Sequence, residues 1–397
     1  AQHVDVISWD HYPGLTDGPE RSAMLHDLMR SLKKNKPFWL MEQSPSQQNW
    51  APYNTLKRPG HLRLQSYQTM ARGADAILYF QMRRSLANCE KFHGALIDHH
   101  GQSQTRVFQE CKVIGRELEG LGELVGSLIK AKVGMVFDWE NWWGIEMSSG
   151  PSVTLNYIEH MGRYYKSVYK LNEVVDFLNE DDDYHAYDLI YAPMLYMVKE
   201  GIYTKLERFV SQGGTLVLTT FSGIVDAHDH VTMKGYPGPF REMAGIWVEE
   251  IDGLLPQMEN VIKGYQGRDF KCHTLCDIIK VDTAEVLAVY GEDFYADTPV
   301  VTMNNYGDGR VFYIGTIPDE AFLDTFSQSL LGESSLPEGV EMTRRFLGKE
   351  EYVFLINHSG SDRDILFDSE KRDLLSGQTS KQIRIKSMDV CIVRDNI

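Results

Sequence analysis

Short apolar runs alternate with longer mixed stretches over the first 124 residues. Val4–Trp9, Phe38–Met41 and Ala76–Phe80 predict strands, and residues 20–34, 61–72 and 103–121 predict helices between and after them. Leu62, Leu64, Tyr67 and Ala71 mark the helical period in the second of these. Strand and helix in alternation predict βαβ units and a parallel sheet. A closed (β/α)8 barrel needs eight such units and about 250 residues, and three units leave open edges with unmade backbone hydrogen bonds. The pattern alone allows two readings: a small α/β domain, or the last third of a barrel.

A new α/β pattern starts near residue 130. Val133–Phe137, Val174–Leu178, Leu189–Pro193 and Thr215–Thr219 predict buried strands. Leu155, Ile158, Tyr165 and Val168 mark an amphipathic helix, and Gly213-Gly214 closes another at 201–212. This predicts an open, doubly wound sheet of the flavodoxin or amidotransferase kind. Past 335, Tyr352–Asn357, Ile365–Phe367, Gln382–Ile385 and Asp389–Val393 are separated by Gly/Ser/Asp turns and predict a small antiparallel β-domain. The expected division is 1–124, 125–332 and 333–397. No internal repeat or low-complexity segment is visible.

With 397 residues, two or three domains are expected. The formal charge of −16 without a Lys/Arg block argues against nucleic acid and anionic membranes as partners and does not repel a neutral sugar. Five cysteines, odd in number and sparse, imply no disulfide framework, and the reducing cytoplasm is the expected compartment. No apolar run is long enough to span a bilayer. The chain opens without Met, directly into an apolar run, and further sequence upstream is expected.

Three segments carry candidate chemistry. In Phe38-Trp39-Leu40-Met41-Glu42-Gln43-Ser44-Pro45, an apolar strand ends in a carboxylate, and Trp50 follows eight residues on. In a barrel the C-terminal strand ends form the active-site face, where a carboxylate can act on substrate and a Trp can cover a sugar ring. A Glu at a strand end is more often a structural pair or solvated. In Asn88-Cys89-Glu90-Lys91-Phe92-His93-Gly94, Glu90 and His93 are three apart and would share a face of a helical turn. They would grip sugar hydroxyls or form a plain surface ion pair. Tyr12 in Ser8-Trp9-Asp10-His11-Tyr12-Pro13 also ends a strand, and would orient the carboxylate or simply pack.

The stretches DVISWDHYP, FWLMEQSPSQQNWAP and EKFHGA, in this order and at these separations, resemble the last three βα units of a glycoside hydrolase family 42 β-galactosidase barrel. The likeness continues through DWENWWG at 138–144, LIYAPMLYMV at 189–198, and TTFSGIVD with GYPGP at 219–239, and weakens after about 330. The resemblance implies a retaining β-galactosidase acting on a β-galactoside. Glu42 matches the nucleophile, Trp50, Glu90 and His93 match sugar-binding positions, and Tyr12 matches an active-site tyrosine. It implies a trimerisation domain in the middle, hence a homotrimer, and no metal or cofactor in this part. The family's acid/base, a Glu after an Asn on an earlier strand, has no counterpart. Asn172-Glu173 and Asn179-Glu180 fall in the second domain. Taken alone, the chain is expected to be inactive.

Other readings weigh less. Amidotransferase chemistry needs a Cys on a strand-to-helix elbow with a His base, and the corresponding strand ends in Ala192-Pro193-Met194-Leu195-Tyr196. A metal-dependent hydrolase would rest on His228-Asp229-His230, which reads better as a solvated loop. Cys272-His273-x-x-Cys276 is a weak metal signal and reads as structural. A non-catalytic assembly module, with Trp139, Trp142 and Trp143 as core or contact residues, is the remaining alternative.

Overall fold

The computed structural model describes residues 3–233 and 235–396. It divides into two compact units: Ala1–Lys130 with Ser334–Ile397, and Ala131–Glu333. No helix of the described residues is long and apolar enough to cross a membrane.

The first unit opens with strands β1 (Ser8–Asp10), β2 (Phe38–Gln43) and β3 (Ala74–Tyr79), alternating with helices α1 (Pro19–Ser31), α2 (His61–Ala71) and α3 (Arg106–Glu119). The strands pair in parallel in the order β1-β2-β3. The first strand is shorter than its apolar run, because Val4–Val6 stay outside the ladder. Ile7, Phe38 and Ala74 form a small core on one side of this sheet.

The second unit starts with β4 (Val133–Val136), α4 (Trp139–Met147), α5 (Tyr157–Tyr169), β5 (Val175–Leu178), β6 (Leu189–Ala192), the short β7 (Met197–Val198), α6 (Glu200–Ser211) and β8 (Thr215–Thr219). After β9 (Val225–Asp226) and α7 (Arg241–Ala244) come β10 (Ile246–Gly253), β11 (Asn260–Tyr265), β12 (Arg268–Val281), β13 (Glu285–Tyr290) and β14 (Pro299–Tyr306). The unit ends in β15 (Gly309–Ile314), β16 (Thr316–Pro318) and α8 (Glu320–Leu331).

The parallel strands lie in the order β5-β4-β6-β8-β15. By chain sequence that is 2-1-3-4-5, the flavodoxin-like order. β4, β5 and β6 are buried along their whole length, as strands covered on both faces are. Beyond β15 the sheet continues antiparallel through β14, β13, β11, β12 and β10. Apolar runs do not announce this wing, because its strands carry exposed Glu249, Glu250, Lys263 and Lys271 between buried positions. At the elbow after β6, Met194 takes the left-handed conformation (φ 44°) and is buried, its amide bonded to Thr219 Oγ1 at 2.8 Å.

The chain then returns to the first unit as β17 (Val340–Leu347), β18 (Glu350–Asn357), β19 (Arg363–Arg372), β20 (Thr379–Ile385) and β21 (Asp389–Asn396). All pair antiparallel, in one three-stranded sheet (β17-β18-β21) and one hairpin (β19-β20). Leu64, Tyr67, Met70 and Ala71 of α2 share a core with Tyr352, Phe354, Ile356, Val390 and Ile392. α2 is therefore buried over most of its length, with Ser66, Gln68 and Thr69 enclosed beside its apolar residues.

Candidate active site

Along β2, Phe38 and Leu40 are buried while Trp39 and Met41 face outward. Simple alternation would bury Glu42 with Phe38 and Leu40. The pairing slips on both sides of it: Trp9 faces Leu40 but Asp10 faces Glu42, and the match to β3 jumps between Leu40 and Gln43. Such a bulge re-aims the side chain that follows it. Gln43 goes into the core, and Glu42 is left half-buried at the strand end.

Tyr12 follows β1 and donates its hydroxyl to Glu42 Oε2 at 2.6 Å. The His11 amide donates to the Glu42 carbonyl at 2.9 Å, so both the backbone and the side chain of Glu42 are held from the β1 end. Burial, then the bond to Glu42, then the charges of Glu42, Asp10 and Glu90 push the phenol far above its ordinary value. Tyr12 therefore stays a donor at any working pH.

Two loops are laced together beyond the strands. Ser44 Oγ donates to the Gln47 carbonyl at 2.8 Å, Gly94 N to the same carbonyl at 2.8 Å, and Gln47 Nε2 to the Phe92 carbonyl at 3.2 Å. The buried Lys57 amine holds the Ser44 carbonyl at 2.6 Å. Gly94 has to be small here, because a Cβ would sit 2.9 Å from the Gln47 carbonyl oxygen. This lacing carries Trp50 over His93, with the rings stacked at 5.3 Å. The Tyr12 ring meets Trp50 edge-on at 4.7 Å and His93 at 5.9 Å.

The turn Cys89–Phe92 is a 3-10 helix that His93 ends in extended conformation. Glu90 and His93 therefore do not share a face: Glu90 stays exposed and His93 turns fully inward. His93 Nδ1 pairs with the Gly94 carbonyl at 2.9 Å, and its buried Nε2 has no partner within the described residues. A buried polar atom left unpaired costs free energy unless a ligand or water meets it. The structure thus joins Tyr12, Glu42, Trp50 and His93 directly, while Glu90 reaches the group through its charge on Tyr12.

Two further residues belong here that their sequence patterns did not single out. Asp10 sits opposite Glu42 in the register, and burial, then the Glu42 charge, raise its carboxyl. Phe80 directly follows β3 and packs edge-on against His93 at 5.0 Å. Both lie at parallel-strand ends, the one signal that pointed to them. The other motifs sit apart from this cluster. His228 and His230 donate their amides to Asp226 in an exposed turn, and Cys272 and Cys276 are buried on β12. Among the described residues no group of three or more His, Cys, Asp or Glu is placed to hold a metal ion.

Residues 1–121 match the family model described as beta-galactosidase, and residues 131–337 match the beta-galactosidase trimerisation domain. The chain is 48% identical over 407 residues to beta-galactosidase BgaA of Planococcus sp. (strain 'SOS Orange'), covering 99% of this chain and 60% of that protein. It is 42% identical over 409 residues to beta-galactosidase BgaB of Geobacillus sp., covering 100% and 60%. Among solved structures, the beta-galactosidase from Bacillus circulans sp. alkalophilus superimposes with a TM-score of 0.95 at 45% identity, over 99% of this chain and 60% of that one. The chain thus spans 60% of the length of these relatives.

Proposed function

The chain belongs to the family 42 β-galactosidases, and on that premise we propose that it is the C-terminal part of a retaining β-galactosidase with Glu42 as nucleophile. The observation that carries this reading is the Tyr12–Glu42 hydrogen bond of 2.6 Å, made by a tyrosine whose ring also meets the stacked rings of Trp50 and His93 edge-on. One carboxylate oxygen is held and the other is left for attack. In the first step, Glu42 bonds to the anomeric carbon as the glycosidic C–O bond breaks. A second carboxyl group protonates the leaving oxygen and then takes a proton from the water that cleaves the glycosyl ester. Trp50 supplies an apolar face for the sugar ring, and His93 Nε2 and Glu90 supply partners for its hydroxyls.

In this reading residues 1–124 are the last three units of a (β/α)8 barrel, followed by the trimerisation domain at 125–332 and a β-domain at 333–397. Support comes from Trp39 (42% exposed), Met41 (37%) and Leu78 (42%), apolar strand residues of the kind that a closed barrel packs in its interior layers. The acid/base is a Glu on an earlier barrel strand, outside this chain. A general acid contributes about 10²–10⁴-fold, and the rest of the barrel supplies most of the pocket wall that positions the sugar, so the chain alone is essentially inactive on lactose. Three copies assemble through the middle unit. The match over 131–337 also supports a second reading, in which this chain acts only as an assembly module.

The test is intact mass after incubation with a dinitrophenyl 2-fluoro-β-galactoside, whose leaving group departs without a proton. A stable adduct on Glu42, absent from Glu42→Gln, is expected from this chain or from one extended upstream. If neither chain is labelled at Glu42, the nucleophile assignment fails.

A further inference from the structure

Cys272 and Cys276 are both fully buried on β12, four residues apart, and both are free thiols. In a regular strand two residues four apart lie about 13 Å from each other, well beyond the Cα separation of about 4.4–6.8 Å that a disulfide spans. β12 is not regular here. Against β16 it pairs Cys272 with Pro318, His273 with Ile317 and Cys276 with Thr316, so three steps along β12 from His273 meet one step along β16. Thr274 and Leu275 are extra against β16, and Thr274 takes the left-handed conformation (φ 68°) found at some bulges. The Leu254 amide pins the bulge by donating to the Thr274 carbonyl at 2.9 Å.

The bulge sets the spacing of the two thiols. Their partners Thr316 and Pro318 are two apart on β16 and share a face, which puts the cysteines about 6.6 Å from each other on that face. The sulfurs meet. Cys272 donates its S–H to Cys276, a bond that raises the first thiol and lowers the second, against the burial that raises both. A single buried Cys packs as a small apolar residue and is inert. Two in contact differ, because each can resolve an oxidised form of the other.

We infer that Cys272 and Cys276 form a redox modification site, a dithiol that a small peroxide converts to an intrastrand disulfide while the protein stays folded. The Cys276 sulfur attacks one peroxide oxygen, the O–O bond breaks, and water leaves with the thiol proton, giving a sulfenic acid on Cys276. The Cys272 sulfur then attacks the Cys276 sulfur, the S–O bond breaks, and the hydroxide leaves with the Cys272 proton as a second water. Two thiols lose two electrons in all, and one hydrogen peroxide becomes two waters. Burial favours a small oxidant over glutathione disulfide and shields the finished bond from thiols.

The test is peptide mapping of the 397-residue chain after exposure to hydrogen peroxide below its unfolding temperature. Acid quenching stops exchange, and iodoacetamide in neutral denaturant then marks the thiols that remain. Trypsin cuts after Lys271 and Lys280, so residues 272–280 carry both cysteines on one peptide. That peptide is expected two hydrogen masses lighter than the dithiol, unmarked until dithiothreitol is added and doubly marked after it. Far-UV circular dichroism should be unchanged, and Cys391, equally buried on β21, should stay a marked thiol. In Cys272→Ser the sulfenic acid lacks its resolving thiol, so the same peptide should gain oxygen instead of losing hydrogen. A wild-type peptide that stays doubly marked or only gains oxygen overturns the inference. So does a bond that forms in urea but not in the folded chain, or one that appears only as the circular dichroism is lost.

Discussion

Arg345 is a fully buried guanidinium on β17 whose partners all come from residues far away in the chain. Its two terminal nitrogens donate to the carbonyls of Met70 (2.9 Å), Ala74 (2.8 Å) and Ser127 (2.9 Å) and to Asp75 Oδ1 (2.6 Å). Burial lowers its pKa and the Asp75 charge opposes that shift, so the pair is a buried ion pair with further hydrogen bonds around it. Arg345→Met keeps an unbranched stem and removes the charge and the fork. Three carbonyls then lose this partner, and among the described residues Asp75 keeps its bond from the Gly126 amide alone. Breaking one side of a buried pair costs about 3–5 kcal/mol, a large share of the roughly 5–15 kcal/mol that holds a domain together. Arg345→Lys should recover part of the loss, since a point charge cannot serve four acceptors spread around a planar fork. Urea unfolding gives the size, and hydrogen exchange at residues 70–75 and 340–347 assigns it to this unit, which matters because two units need not unfold together. A loss below about 1 kcal/mol, or exchange that rises only in residues 131–333, would refute the reasoning.

Two more predictions follow from the geometry. Tyr12→Phe removes the donor on Glu42 Oε2, and a bond to a charged group is worth about 1.5–3 kcal/mol. Labelling of Glu42 by the fluorosugar, in a chain that does react, should therefore slow by roughly 10- to 100-fold, with the fold unchanged by circular dichroism. Asp277 is wholly buried, accepts bonds from Tyr313 (2.7 Å) and Thr220 (2.8 Å), and is pushed up to about 7 by burial, which those two bonds oppose. Between about pH 4 and 7 the folded state keeps this proton while the unfolded state has lost it, so stability falls as pH rises through that window and is level above it. The decline is of order 4 kcal/mol. Asp277→Asn should remove it, and thermal unfolding from pH 4 to 8 checks this: equal slopes in both proteins would disprove the burial argument.

Much of the fold was legible because long apolar runs and helical periods are local signals. The buried parallel strands at 133–136, 175–178, 189–192 and 215–219 match their apolar runs to within a residue or so. The antiparallel wing from 246 to 306 was not legible, because exposed and charged positions break its apolar runs, and β17 was missed for the same reason; the buried parallel strand β15 was passed over as well. In the site, residue types at and after strand ends pointed to Glu42, Tyr12, Trp50, Glu90 and His93, and the resemblance implied a role for each. Phe80 and Asp10 were passed over, since an aromatic or a carboxylate beside a strand end has no distinctive spacing.

By itself the sequence determined the family, the alternation of strands and helices, and which side chains were candidates for chemistry, all of which are properties of neighbours along the chain. Only the tertiary structure decided which candidates meet. The bulge in β2 turns Glu42 out of the core, and the lacing of residues 44–50 to 89–94 stacks Trp50 on His93. It also decided that Glu90 and His93 part company, because the extended backbone at His93 ends the 3-10 turn that would otherwise align side chains three apart. Arg345 joins residues more than 200 positions apart, and no local pattern encodes such a partner, because burial and hydrogen-bond demand are set by the packed chain as a whole.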